Sequence, residues 1–431
     1  MALITILTTH KTERLNYTLN EILGRRLGVN YVVTTNIDEF NNTTGCRINY
    51  TNKILANCLH IVPEQLLFEE DIKNQPINIE KNKDWNTIFW PSLNQTIPFD
   101  IFAASFYLIS RYEEYTATEF DIHQRFDAAS SMAFKYDFLN LPLIEVWCEQ
   151  LKKVLLTVDK SLHFKQHKFT PITTIDVDFA YLYNGINLKR WLGKLAKSML
   201  KFDVKNVITQ IKSTLNPNHD PYNTYDFINK TVKGKLGYFF LMSNAGGHDK
   251  NIAVNGPTFK NLVNHLKSKS SFIGLHPSYL SNQNNTVLAT EKALLENLTA
   301  SKIEHSRQHF LKLHLPHTYQ NLIAQHIFAD YTMLYANKFG FRASTCMPFL
   351  FFDLTQNKTS NLTCYPTCFM DTTITSYVGL NNQETAQILS DLLEVTKLHN
   401  GYFITLWHNN TFVLPHFKTI FSNLFKQQQF D

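Results

Sequence analysis

The sequence predicts an α/β protein in two units, a small α/β domain over residues 1–165 followed by a (β/α) barrel over residues 166–431. Three observations lead there. The chain has 431 residues, more than one ordinary hydrophobic core serves. Its first part alternates helix-period stretches with short β-branched runs. Past the polar, basic segment 158–170, short apolar runs recur, each ending in polar residues. That is the rhythm of a parallel sheet whose chemistry gathers at the C-terminal strand edge.

In the first unit, Leu15, Leu19, Ile22 and Leu23 fall at helical spacing, and Gly28 precedes the strand-like "VNYVVT". A second helix is predicted within 97–115, where Phe102, Phe106 and Ile109 share a face, and a third over 141–155, carried by Ile144, Trp147, Leu151 and Val154. The polar and aromatic cluster "RYEEY" with Asp121, His123, Arg125 and Asp127 reads as an ion-paired helix end and loop, with a binding surface as the other reading. In the second unit the predicted strands are 171–178, 235–244, 271–279, 301–309, 326–332 and 401–409, with helices over 290–300 and 318–325 among them.

Composition is that of a globular chain, 44% apolar and 18% charged with a formal charge of +5. No Lys/Arg run is dense enough for nucleic-acid binding, and no stretch approaches the roughly 20 apolar residues of a membrane span. The basic amphipathic stretch 187–202 reads as a surface helix of the fold, with a membrane-surface helix as the alternative. The start "MALITILTTH" lacks a basic region and a cleavage site, so a cytoplasmic protein is expected. Its six cysteines are expected to be reduced thiols, and Cys364 and Cys368 lack the second pair that a zinc site needs. Glycine-rich dinucleotide and P-loop signatures are missing, which removes the main support for those functions.

The predicted strand ends carry Asp176 and Asp178, then His276, then Arg307 and His309, then Asp330, and finally His408. Two acids at the end of a buried strand repel each other unless a cation or hydrogen bonds hold them. Together these residues supply the parts for metal-assisted hydrolysis: oxygen and nitrogen ligands, a carboxylate base and an imidazole acid.

From about residue 168 onward, "TIDVDFA", "GLHPSYLS", "HSRQHFL" and "LWHNN" resemble the motifs of the polysaccharide deacetylase (NodB-homology) superfamily. "PFDIFAASFYLISRYEEY" and "GFRASTCMPFLFFDL" extend the likeness to a bacterial subgroup with an N-terminal domain of unassigned function. The resemblance implies a distorted (β/α) barrel that removes N-acetyl groups from an amino-sugar glycan or glycan precursor, with a divalent metal, zinc by preference. It implies Asp176 as base, Asp178 and His276 as metal ligands, Arg307 as the group orienting the base, and His408 as acid, paired with Asp371 or Asp330. The chain departs from the family at Leu280, where a second histidine ligand is expected; His309 is the candidate replacement, with His248, His305, His314 and His317 nearby. Tyr279 and Trp407, adjacent to motif histidines, are candidates for sugar-ring contacts. Arg342 would bind an anionic substrate group or form a structural salt bridge. Two alternatives stay open: a degenerate sugar-binding barrel, and a metal-dependent amidohydrolase acting on a non-sugar amide. The sequence makes no prediction of oligomeric state.

Overall fold

The computed structural model describes residues 3–92, 95–243 and 247–427, so that Asn244, the end of one predicted strand, lies outside the described residues. The N-terminal part is built on a parallel four-stranded sheet of β1 (Leu3–Thr8), β2 (Asn30–Thr34), β3 (Cys46–Tyr50) and β4 (Leu59–His60), in the order β2-β1-β3-β4. An antiparallel hairpin, β5 (Ile79–Asn82) and β6 (Asn86–Phe89), lies apart from it. Thr12 caps the helix Glu13–Leu19, and Gly28, at φ +66, closes the helical stretch that follows in a left-handed turn that glycine adopts at little cost. The helices Ile101–Ile109 and Leu143–Val158 fall where the hydrophobic period placed them; the first is buried on every side, capped by Asp100.

The C-terminal part is a single nine-stranded sheet. Its strands are β7 (Thr170–Val177), β8 (Lys235–Leu241), β9 (Phe272–His276), β10 (His305–Ser306), β11 (Ala329–Asp330), β12 (Phe349–Asp353), β13 (Lys358–Cys364), β14 (Phe369–Met370) and β15 (Tyr402–His408). They are arranged β12-β13-β11-β10-β9-β8-β7-β15-β14, parallel except for the β12–β13 hairpin. All six predicted strands are present and run the same way, so their C-terminal ends share one edge.

The barrel expectation is corrected here: among the described residues β12 and β14 do not pair, and the sheet stays open. The edge strand β12 carries contacts from the N-terminal part. Its Leu350 carbonyl accepts from the Tyr17 hydroxyl at 2.7 Å, and its Leu350 N–H donates to Glu21 at 3.2 Å. The Tyr17 ring lies 5.0 Å from Phe352. Side chains of the N-terminal part thus contact the β12 end of the sheet at Leu350 and Phe352. One continuous apolar core runs through both parts.

Candidate metal centre

Asp176 lies at the end of β7 and Asp178 just past it, and the register places His408 of β15 directly beside Asp176. His276 ends β9, which is separated from β7 by β8. Two strand spacings are about 9.6 Å, yet His276 Nε2 lies 3.7 Å from Asp176 and 3.1 Å from Asp178. The side chains therefore converge over one face of the sheet edge.

His309 arrives differently. Beyond β10 the chain turns through Phe310 and Leu311, both left-handed at φ 61 and 50, a conformation costing a non-glycine residue roughly 1–2 kcal/mol. Arg125, from the N-terminal part, donates Nη1–H to the Phe310 carbonyl at 2.6 Å and so braces that turn. The His309 Nε2 atom ends 3.6 Å from Asp178. Leu280, four positions past His276, is 70% exposed and takes no part.

The outer contacts fix how both imidazoles present themselves. Nδ1 of His276 lies 2.5 Å from the Arg307 carbonyl, which can only accept, so that nitrogen carries the proton. Nδ1 of His309 lies 2.7 Å from the Asp249 carboxylate. Each Nε2 consequently faces Asp178, the arrangement in which outer acceptors orient metal-binding histidines. One ligand atom from each of Asp178, His276 and His309 lies within 4.8 Å of the others. Asp178 Oδ1 lies 3.1 Å from His276 Nε2, which carries no proton when Nδ1 donates to the Arg307 carbonyl, so this buried oxygen is an orphaned acceptor, without a hydrogen bond. Two imidazoles and a carboxylate with such an orphan fit a divalent metal such as zinc, with a position left for water or substrate.

Asp176 and His408 flank this group. Arg307, wholly buried, donates Nη1–H to Asp176 Oδ1 at 2.9 Å and is held by the Tyr331 carbonyl and Thr367. His408 Nδ1 lies 2.7 Å from Asp371, whose second oxygen accepts the His408 backbone N–H at 2.8 Å, while Nε2 lies 3.6 Å from Asp178. Burial alone would lower the His408 pKa, but Asp371, then Asp178 and Asp176, raise it to about 10. His309 likewise rises to about 9 against its burial, through Asp178 and Asp249. Burial works to raise the Asp178 carboxyl, but His309 and His276 hold it well below the usual range. A cavity of about 200 Å³ opens over the group, its floor formed by Asp176, Asp178, His276, His309 and His408.

The structure thus gathers seven sequence candidates, namely Asp176, Asp178, His276, Arg307, His309, Asp371 and His408. Four others do not join them. Asp330 accepts from the Ser306 and Thr332 hydroxyls and the Thr332 N–H, all at 2.8 Å, and is sealed beneath the edge. Trp407 is wholly buried against Phe369, Phe412 and Phe421, because side chains on a strand alternate faces and His408 takes the open one. Arg342 forms a two-pronged pair with Glu114 and is 1% exposed, the salt-bridge reading of that residue. Tyr279 sits beside the cavity, hydrogen-bonded to His123 at 3.1 Å and packed on Phe310. Asp249 and the cavity-lining Tyr377 were not singled out from the sequence, and Arg125 was named only within a polar cluster. Asp249 directly follows His248, but no periodicity marks the loop in which it sits.

Residues 4–160 match a family of unknown function, DUF7033. Comparison with curated protein sequences gives no match. Among solved structures, the chain is similar to a "putative polysaccharide deacetylase" from Mycobacterium smegmatis, at 12% identity and a TM-score of 0.39, covering 62% of this chain and 86% of that one.

Proposed function

We propose that the protein is a metal-dependent amide hydrolase that removes N-acetyl groups from an amino-sugar glycan or its precursor. The observation that carries this reading is the convergence of Asp178, His276 and His309 around an orphaned carboxylate oxygen, flanked by a carboxylate on one side and an imidazole on the other. A metal held by those three residues supplies Lewis-acid polarisation of an amide carbonyl and of an attacking water.

The chain's own residues do the rest. Asp176, with one oxygen held by Arg307, turns its other oxygen toward the cavity and takes the proton of the water as oxygen bonds to the acyl carbon. His408, kept protonated by Asp371, gives its proton to the nitrogen as the carbon–nitrogen bond breaks, leaving acetic acid and a free amine, which exchange a proton to become acetate and an ammonium group. Return of the proton from Asp176 to His408 restores both groups. The division of labour follows from environment: one group carries an arginine partner, the other a carboxylate partner.

Elemental analysis of the purified chain after exposure to zinc, alongside His309→Ala, tests the centre. About one metal per chain, lost in the variant, supports it and justifies measuring acetate release from N-acetylated amino sugars and from small non-sugar amides. A chain that takes up no metal overturns the reading in favour of a sugar-binding protein without turnover.

A further inference from the structure

Between β7 and β8 the chain forms a helical hairpin, Leu188–Leu200 and Val204–Leu215, that is built inside out. The first helix has no buried residue at all. In the second, the buried residues are polar: Gln210 donates to the Trp191 carbonyl at 2.7 Å, and Ser213 donates to the Thr209 and His219 carbonyls. The Trp191 indole N–H donates to Thr214 at 2.8 Å, so polar groups knit the two helices together.

The apolar stripes face outward instead. Leu188, Leu192 and Met199 lie on one face of the first helix, and Ile208, Ile211 and Leu215 on one face of the second, all exposed. At the turn, Leu200 is 81% and Phe202 91% exposed. Amphipathic helices ordinarily turn this face to the core, and an exposed apolar surface of this extent marks an interaction site.

Charge selects the occupant. Seven Lys or Arg fall between 188 and 215 against a single acid, Asp203. Arg190 and Lys194 hold the hairpin to the body, through the Asn251 carbonyl at 2.9 Å and the Tyr183 ring at 5.4 Å. The other five, Lys189, Lys197, Lys201, Lys205 and Lys212, are exposed, with Lys205 and Lys212 flanking the stripe of the second helix. A second copy of the chain would oppose one cationic face with another. An anionic bilayer accepts both features, taking the apolar side chains between its headgroups and drawing the lysines to its surface.

We infer that the hairpin 188–215 docks the protein on an anionic lipid bilayer. The hairpin springs from the sheet edge that bears the candidate metal centre. It follows β7 directly, and Asn251, its anchor, stands two residues from Asp249, the partner of His309.

The test is sedimentation of the full chain with vesicles of phosphatidylcholine alone or with about 30% phosphatidylglycerol, beside a Leu192→Glu/Ile211→Glu variant. Both positions are exposed, and far-ultraviolet circular dichroism checks that the variant folds. Binding to the anionic vesicles is expected to exceed binding to the neutral ones by about tenfold or more, to fall by a similar factor in the variant, and to weaken with salt. Failure to bind anionic vesicles, or equal binding by the variant, overturns the inference. So does a concentration-dependent dimer that the variant abolishes, which would make a second copy the occupant.

Discussion

Two clusters of charged side chains, both buried, do opposite things in this molecule. At the seam between the N-terminal and C-terminal parts, Glu114 receives Arg111 at 2.8 Å and Arg342 at 2.9 and 2.6 Å, so both of its oxygens are engaged. Nearby, Glu145 takes Arg26, the Thr345 hydroxyl and the Cys346 N–H. At the sheet edge, Asp178 is surrounded by three imidazoles at 3.1–3.6 Å and still has an oxygen without a hydrogen bond. Both set carboxylates among nitrogen-bearing side chains at low exposure. What separates them is convergence: both oxygens of each seam glutamate are engaged by donors, whereas at the edge ligand atoms of three side chains converge around a carboxylate oxygen that accepts no hydrogen bond. Buried charge is therefore weak evidence of chemistry, and convergent, unsatisfied donor atoms are strong evidence.

The comparison breaks first at Asp176. Asp176→Asn keeps the acceptor for Arg307 but removes the base, so turnover of an N-acetylated amino sugar is expected to fall by about 100- to 10,000-fold, with metal content unchanged by elemental analysis. Wild-type activity in that variant would sink the assignment. The seam predicts the reverse pattern. Glu114→Gln leaves Arg342 without its countercharge and Arg111 with Glu113 alone, and urea unfolding is expected to show a loss of about 3–5 kcal/mol with no change in zinc affinity. A Glu114 variant of normal stability that has lost zinc would show that the two clusters had been assigned the wrong way round.

Much of the edge was legible in the sequence because a parallel sheet turns the end of every apolar run toward the same side. Knowing where the runs stop at Asp176, His276 and His408 is nearly enough to bring those residues together. The failures have equally local causes. Trp407 was credited with a sugar contact although strand alternation alone sends it to the face opposite His408. Asp330 ends its strand as the others do, but Ser306 and Thr332 consume its oxygens, and hydroxyl placement leaves no trace in a hydrophobic pattern. Closure was beyond reach because apolar runs look the same in an open sheet and in a barrel, and the contacts that Tyr17 and Glu21 make with edge residue Leu350 come from more than 300 residues away in sequence. Of the hairpin, the sequence marks only the stretch 187–202 as an amphipathic helix; the second helix, Val204–Leu215, and the direction the stripes face come from the structure.

A smaller effect sharpens the account of the edge. Asp249 touches no reacting atom in the proposed scheme; it orients His309 through Nδ1. Asp249→Asn retains an oxygen there but weakens the charge that holds the ring, and zinc affinity, measured by competition with a chelator, is expected to drop by about 10- to 100-fold. No change would mean that the Phe310 turn and Arg125 position His309 unaided.

The smallest expected effect at the site is that of Trp407→Phe, which asks whether adjacency in sequence to His408 means anything. The indole N–H donates to Thr405 at 3.0 Å within the core, so the substitution removes one neutral hydrogen bond and some packing. A loss of about 1–2 kcal/mol in urea unfolding is expected, with the kcat and KM of acetate release unchanged. A variant of wild-type stability whose KM rises would place the ring against substrate, which its burial against Phe369, Phe412 and Phe421 argues against. The two neighbours would then differ only in which way the pleat turns them: His408 to the cavity, Trp407 to the core.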